Sequence, residues 1–239
     1  MRRVVVSGAT RGLGLAMARR LLDKNYDVIG LSRTLTADYS ALMAKYQRKT
    51  THYCLDLSNA SATAEIGRSI IKKHGSIYGL INNAARAGDG ALANLHGSNI
   101  QEIIDTNLLG PITLTKYIVR SMLLKKEGRI VNISSTAAVT GYSGLSVYSA
   151  TKAGLEGFSR SLSREVGKRN ITVNCVSPGY VPTEMSAAMQ GEKLASIKRR
   201  SPLGVATPED IANAVLFLLS DDAVKITGTV IRVDGGGAA

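Results

Sequence analysis

The first two dozen residues constrain this chain more than any other stretch. Val4-Val5-Val6 is an apolar run with the β-branched character of a buried strand. Ser7-Gly8-Ala9-Thr10-Arg11-Gly12-Leu13-Gly14 follows, and Leu15-Ala16-Met17-Ala18-Arg19-Arg20-Leu21-Leu22 then repeats its apolar residues at helical spacing. The pattern reads as strand, glycine turn, helix. Gly8 permits a tight turn, Gly12 lets backbone approach a pyrophosphate, and Gly14 allows helix and strand to touch. The helix N-terminus offers N–H groups and partial positive charge to a phosphate. The spacing is Gly-x3-Gly-x-Gly, and its place between a strand and a helix adds weight that the string alone lacks.

The rest of the chain repeats the alternation. Asp27 to Arg33 reads as a second strand. In dinucleotide folds an acid at its end would hold the ribose 2′-hydroxyl, but here Ser32-Arg33 stands there. Arg33, with Arg11 in the glycine loop, suits a 2′-phosphate, so the reading is NADP(H) over NAD(H). Thr51 to Ser58 reads as a third strand ending in Asp56. That aspartate is placed to meet an adenine amino group or, equally, to cap a helix. Ser58 or Asn59 caps the helix Ala60 to His74. Tyr78 to Ala85 is a fourth strand entering a small-residue loop, Arg86 to Ser98 a loop, and Asn99 to Lys125 a long helical pattern carrying Asn107. Pro111 inside it predicts a kink or local break just before.

Gly128 to Ser135 is a fifth strand, Asn170 to Ser177 a sixth, closed by Pro178-Gly179, and Thr229 to Asp234 a seventh. Between the last two lies an irregular stretch, 180–206, with Met185, Met189 and an amphipathic run from Ala187 to Arg200; it suits a substrate lid. Thr207-Pro208-Glu209-Asp210 is a helix start, and that helix runs to about Leu219. The expected fold is α/β: one Rossmann-type doubly wound domain over 1–239, about seven mostly parallel strands, helices on both faces.

Tyr148 and Lys152 lie one helical turn apart, in a helix expected to reach about Arg169. The ordinary reading of such a pair is an aromatic ring against a lysine stem. The other is an acid/base pair, the ammonium favouring the phenolate and tuning the phenol toward neutrality.

Composition bounds the rest. Cys54 and Cys175 make no disulfide framework, sit in apolar runs and read as buried thiols in a reducing compartment. No Cys/His spacing suggests a metal. The basic start Met1-Arg2-Arg3 runs too soon into the glycine motif for a signal peptide, and no apolar stretch spans a membrane, so a cytoplasmic protein is expected. Thirty Lys and Arg against 18 acids give +12, scattered in short clusters. Without a long basic run or interleaved aromatics, an acidic partner or phosphorylated cofactor is preferred to nucleic acid.

Taken together, Gly8-x3-Gly12-x-Gly14, Asn82-Asn83-Ala84, Asn107, Ser135, Tyr148-x3-Lys152 and Pro178-Gly179 resemble the short-chain dehydrogenase/reductase family over nearly the whole chain. Ser7 stands where that family usually has Thr, and Ala85 where it often has Gly. The resemblance implies Tyr148 as general acid/base and Lys152 as the group that lowers its pKa and holds the nicotinamide ribose. It implies that Ser135, not Ser134, bonds the substrate oxygen, and that Asn107 supports a water chain to Lys152. It implies an NADPH/NADP+ site at Gly8, Thr10, Arg11, Gly12, Leu13, Gly14, Arg33, Asp56, Leu57, Asn83, Ala84, Tyr148, Lys152, Pro178, Gly179, Val181 and Thr183. Within the family the strings Gly128 to Ser135, Tyr148 to Gly154, Asn170 to Asn174 and Pro178 to Thr183 are most similar to reductases of 3-oxoacyl thioesters on acyl-carrier protein. That likeness implies carrier docking at Arg129 and Arg169, and a homotetramer (or dimer) built through the long helices and last strand. A reductase of a free ketone, sugar or alcohol, and an idle NADP-binding sensor, are the alternatives.

Overall fold

The computed structural model describes residues 2–186 and 190–238. Seven strands form one parallel sheet: β1 (Arg3–Ser7), β2 (Asp27–Ser32), β3 (Thr50–Cys54), β4 (Gly79–Asn82), β5 (Gly128–Ile133), β6 (Ile171–Pro178) and β7 (Val230–Val233). Their order is β3-β2-β1-β4-β5-β6-β7, so the winding reverses between β1 and β4. All six pairings are parallel, with Val4 opposite both Val28 and Gly79.

Alternation along the strands splits the core in two. Val4 and Val6 of β1 pack on one face with Ile81, Val131 and Val176, under α1 (Gly12–Asp23) and α9 (Pro208–Leu219), which supply Leu15, Leu21, Ile211, Val215 and Leu218. Val5 faces the other way with Ile29, Leu80, Ile130 and Val173. It packs under α3 (Ala60–His74), α5 (Gly110–Lys125) and α7 (Ser146–Val166), through Ile70, Leu114, Ile118, Leu162 and Val166. Burial on both faces is why the central strands read as continuous apolar runs. The described helices are completed by α2 (Ala37–Lys45), α4 (Gly97–Ile104), α6 (Ala137–Thr140) and α8 (Gly191–Arg200).

Several boundaries move. β3 ends at Cys54, and Asp56 lies in the turn beyond it; Asn59 caps α3 by accepting from Ala62 N at 2.9 Å. The long helical pattern around Asn107 is three pieces: α4, a π turn over Asp105–Leu109, and α5 with Pro111 in its first turn. The break expected before Pro111 is therefore a local widening of the helix, since proline cannot donate to the preceding turn. α7 stops at Val166, and a 3-10 turn covers Gly167–Arg169. Cys54 is exposed, not buried: it closes the edge strand β3, and its Sγ–H donates to Arg33 O at 3.0 Å. Cys175, on inner strand β6, is buried as expected. In the stretch between β6 and α9, a 3-10 turn occupies Glu184–Ser186 ahead of α8; Met189, the side chain of Met185 and the start of the amphipathic run lie outside the described residues. No described helix is long and apolar enough to cross a membrane.

The glycine turn sets how closely α1 meets β1. A Cβ on Gly14 would lie 1.9 Å from Gly8 O, and one on Gly8, whose φ is +67°, 2.9 Å from Asn83 Nδ2. Gly14→Ala is expected to cost about 1–3 kcal/mol or more through overpacking, read as a lower denaturation midpoint with an unchanged slope.

Candidate active site

The crevice opens where the strand order reverses, at the C-terminal ends of β1 and β4, the usual ligand position in such sheets. Its floor is tied by Ser7. The Ser7 Oγ accepts from Asn83 N at 3.0 Å and Ala84 N at 3.1 Å, and Asn83 Nδ2 donates back to Ser7 O at 2.9 Å. Arg11, the N-cap of α1, turns its guanidinium to Glu184 Oε2 at 3.3 Å and gives the helix no side-chain cap, so among the described residues no side chain caps the first-turn amides at Gly12, Leu13 and Gly14. That cradle of bare amides, with the space above Gly8 and Gly14 closed to any Cβ, fits a dinucleotide pyrophosphate. Gly12 has φ +51°, and the Thr183 methyl stands above it, 3.7 Å from where a Cβ would be. Thr10, nearly fully buried, gives its carbonyl to Thr36 Oγ1 at 2.7 Å, which holds the loop against α2.

On the β2 and β3 side of the crevice, Arg33 is exposed beyond β2. Asp56 accepts from Ser58 N at 3.0 Å and from Ser58 Oγ at 2.8 Å, a local turn and not a helix cap. Burial pushes its pKa up, but the Ser58 hydrogen bonds outweigh this, and Arg33 and Arg86 draw it down further, so the carboxyl ends below its ordinary value. Leu57 beside it is buried. On the other flank, Pro178 O accepts from Thr136 N at 2.9 Å, and Gly179 lies against Asp234, whose Cβ would be 2.6 Å from a Gly179 Cβ. Val181 is buried and accepts through its carbonyl from Ser186 Oγ at 2.7 Å.

β5 and α7 bring the reactive groups together. Lys152 is fully enclosed, and its Nζ donates to Ile133 O at 2.7 Å. Burial lowers its pKa to about 8. Tyr148 stands one turn before, its ring centroid 5.6 Å from Nζ. Its phenol is pushed up by burial, drawn partly back by a hydrogen bond with Ser135, and pushed up a little by Asp89. The ammonium is aimed at Ile133 O, and burial is the largest influence on the phenol. Ser135 is half-buried and accepts from Ala137 N at 3.2 Å. Ser134 faces away, donating to Glu156 Oε1 at 2.6 Å, so the neighbour at Tyr148 is Ser135. Asn107 is fully buried in the π turn. Its Oδ1 accepts from Arg86 N at 2.7 Å, and its Nδ2 donates to Arg86 O at 2.9 Å and Thr151 Oγ1 at 3.3 Å. It pins the loop after β4 to α7.

Arg129 and Arg169 lie elsewhere. Both are at the N-terminal edge of the sheet, and Arg129 is 4% exposed, donating to Gly128 O at 2.8 Å and Asn170 O at 3.2 Å. Its guanidinium sits 5.5 Å from the Tyr78 ring centroid. β5 is covered by neighbours on both sides, so a residue at its start is enclosed and offers no charge to a partner. Arg169 is exposed, as are Lys125, Lys126 and Lys168. Sequence reasoning missed Glu156, Thr36 and Arg86. An acid on the buried stripe of α7, four residues after Lys152, was the available signal for Glu156.

A seven-stranded parallel sheet with a glycine-lined crevice at its winding reversal, and a Ser, Tyr and Lys gathered beside it, defines a nucleotide-dependent oxidoreductase. A family model described as enoyl-(acyl carrier protein) reductase matches residues 8–237, and the chain belongs to the short-chain dehydrogenase/reductase family. It is 39% identical over 233 residues to 3-oxoacyl-(acyl-carrier-protein) reductase FabG of Haemophilus influenzae, covering 97% of this chain and 96% of that one. It is 36% identical over 238 residues to the protein of that name from Escherichia coli K12, covering 97% and 95%.

Lys152 also bears on stability. The unfolded chain holds the Lys152 proton to about its ordinary 10.5, the folded chain only to about 8. Burial of the charge therefore opposes folding below pH 8, and the penalty fades between those values. Lys152→Met is expected to stabilise the ligand-free protein by about 1–3 kcal/mol at pH 7, after the lost hydrogen bond is counted. The gain should vanish near pH 10.5 in denaturant titrations.

Proposed function

We propose that this chain reduces the 3-oxo group of an acyl thioester carried on acyl-carrier protein, with NADPH, in fatty-acid or polyketide-type synthesis. What supports the reading is that buried Lys152, one helical turn after Tyr148, is tied to Ile133 O at the end of β5, two residues before Ser135, in a chain whose relatives are named for that substrate. The family description speaks of enoyl substrates. Two hydroxyl donors facing one point suit a carbonyl, where negative charge develops on a single oxygen.

The nicotinamide supplies hydride when bound. Ser135 and Tyr148 hold the substrate oxygen, and Tyr148 gives it the proton. A phenol that burial keeps protonated is ready for that direction. Lys152 has donors to spare beyond Ile133 O for the nicotinamide ribose. The side chain of Asn107 is committed to Arg86 and Thr151, so any part in a water chain to Lys152 falls to its main chain. Gly8, Thr10, Arg11, Gly12, Leu13 and Gly14 cradle the pyrophosphate. Asn83, Ala84, Pro178, Gly179, Val181 and Thr183 line its flanks, Asp56 and Leu57 meet the adenine, and Arg33 with Arg11 takes the 2′-phosphate. The 180–206 segment forms the substrate lid.

Carrier docking falls to Arg169 with Lys125, Lys126 and Lys168, in place of buried Arg129. These cations lie at the opposite end of the sheet from Tyr148, roughly 25 Å away along the eight residues of β6. A carrier docked there feeds the site of a neighbouring copy, in a tetramer or dimer joined through the long helices and the open edge of β7. Two free cysteines fit a cytoplasmic setting.

Tyr148→Phe should lower acetoacetyl-carrier-protein reduction by at least ~100-fold and leave NADPH binding intact. Unchanged turnover would refute the assignment, and negligible turnover of every 3-oxoacyl thioester by the unaltered protein would favour a free-ketone enzyme. Arg33→Ala should raise KM for NADPH by roughly 10–100-fold, the worth of a hydrogen bond to a charged group, and leave KM for NADH nearly unchanged.

A further inference from the structure

β5 grips α7 at two polar points inside an otherwise apolar seam. Ser134 directly follows β5 and continues its pairing through Ser134 N to Val176 O at 2.7 Å, so its side chain shares a face with that of Asn132 two residues before. Asn132 Nδ2 donates to Ser159 Oγ at 2.7 Å, and Ser134 Oγ donates to Glu156 Oε1 at 2.6 Å. Glu156 and Ser159 lie three apart on α7, one above the other. All four are buried, Glu156 at 6% exposure. Its other carboxylate oxygen lies 4.0 Å from Arg160 Nη1. The Cys175 thiol, which donates to Ser159 Oγ at 3.1 Å, fills the floor beside it; burial lifts it to about 11, the Ser159 hydrogen bond opposing and Glu156 adding to the rise.

An enclosed carboxylate is costly unless it is hydrogen-bonded, and an aliphatic side chain would pack this seam without that cost. What the aliphatic residue lacks is direction. Apolar packing lets a helix slide or turn by fractions of an ångström, whereas a short charge-assisted hydrogen bond fixes one register. The register here is shared with the chemistry. Glu156 is one turn beyond Lys152 and two beyond Tyr148, and Ser134 immediately precedes Ser135. One hydrogen bond thus joins the segment that carries Ser135 to the helix that carries Tyr148.

We propose that Glu156 is a positioning residue: acting through Ser134, it sets the distance between the Ser135 and Tyr148 hydroxyls. The proposal rests on the reading of those two hydroxyls as the pair that holds the substrate oxygen. Glu156→Leu is expected to lower kcat by ~10–100-fold, the scale of a sub-ångström to ångström misplacement, with the Kd for NADPH within about twofold. Glu156→Gln, which keeps an acceptor at the same place, should restore most of the loss, and Ser134→Ala should reproduce it. In a Ser135→Ala background Glu156→Leu should add nothing, because the group it positions is gone. Wild-type kcat in both Glu156→Leu and Ser134→Ala overturns the proposal. So does a Glu156→Leu loss of the same factor with and without the Ser135 hydroxyl, which marks a general packing role. If the leucine variant does not fold, the Ser134→Ala and Ser135→Ala pair carries the same cycle. Full activity in Ser135→Ala alone would instead overturn the reading of Ser135, and is separable from the other results.

Discussion

Parallel pairing is the constraint on which this molecule depends. Because every strand runs the same way, seven C-terminal ends emerge along one edge of the sheet. The glycine turn after β1, the Asn83 loop after β4, Ser135 after β5 and Pro178-Gly179 at the end of β6 are neighbours for that reason alone. The winding reversal between β1 and β4 then parts the helices and leaves the crevice. The same rule sends Arg129 and Arg169, at strand beginnings, to the far edge. Whatever binds there is separated from the chemistry by the full length of a strand.

The alternation of elements was legible because it is periodic. Apolar triplets such as Val4-Val5-Val6 are buried from both faces, and helices α1, α7 and α9 carry their apolar residues at helical spacing. The cofactor cradle was legible because positive φ and close backbone approach leave only glycine at Gly8 and Gly12 and only a missing Cβ at Gly14. Three things were not legible, each for a tertiary reason. Cys54 has apolar neighbours in sequence, but β3 is an edge strand and its last residue meets solvent. Arg129 has the look of a surface cation, but β5 is interior, and Tyr78 with the Asn170 carbonyl receives its guanidinium. The π turn around Asn107 depends on how Asn107 and Pro111 divide one helix, which spacing alone cannot reveal.

The electrostatics of Tyr148 and Lys152 likewise depend on what surrounds them. Helical spacing brings the two side chains to one face, yet it does not say where the ammonium points. Nζ is turned to Ile133 O, and burial acts on both groups in the sense that favours their neutral forms. Both side chains are thus held toward their neutral forms, a protonated phenol beside a lysine whose environment opposes its own charge. Burial of the Lys152 charge works against the stability of the fold, a cost that functional sites commonly carry.

That cost explains why polar groups gather under the site. Nothing in an all-apolar seam would resist the small rotation of α7 by which Lys152 could reach water. The bonds from Asn132 to Ser159 and from Ser134 to Glu156 oppose that rotation at two points one helical turn apart, which fixes both the slide and the azimuth of α7. Asn107 does the same from the other side through Thr151. These buried hydrogen bonds therefore hold the part of α7 that carries Tyr148 and Lys152 against the end of β5. On this account the catalytic geometry belongs to the β5–α7 seam as a unit. The residues most sensitive to change lie along its buried polar stripe and not only at the crevice mouth.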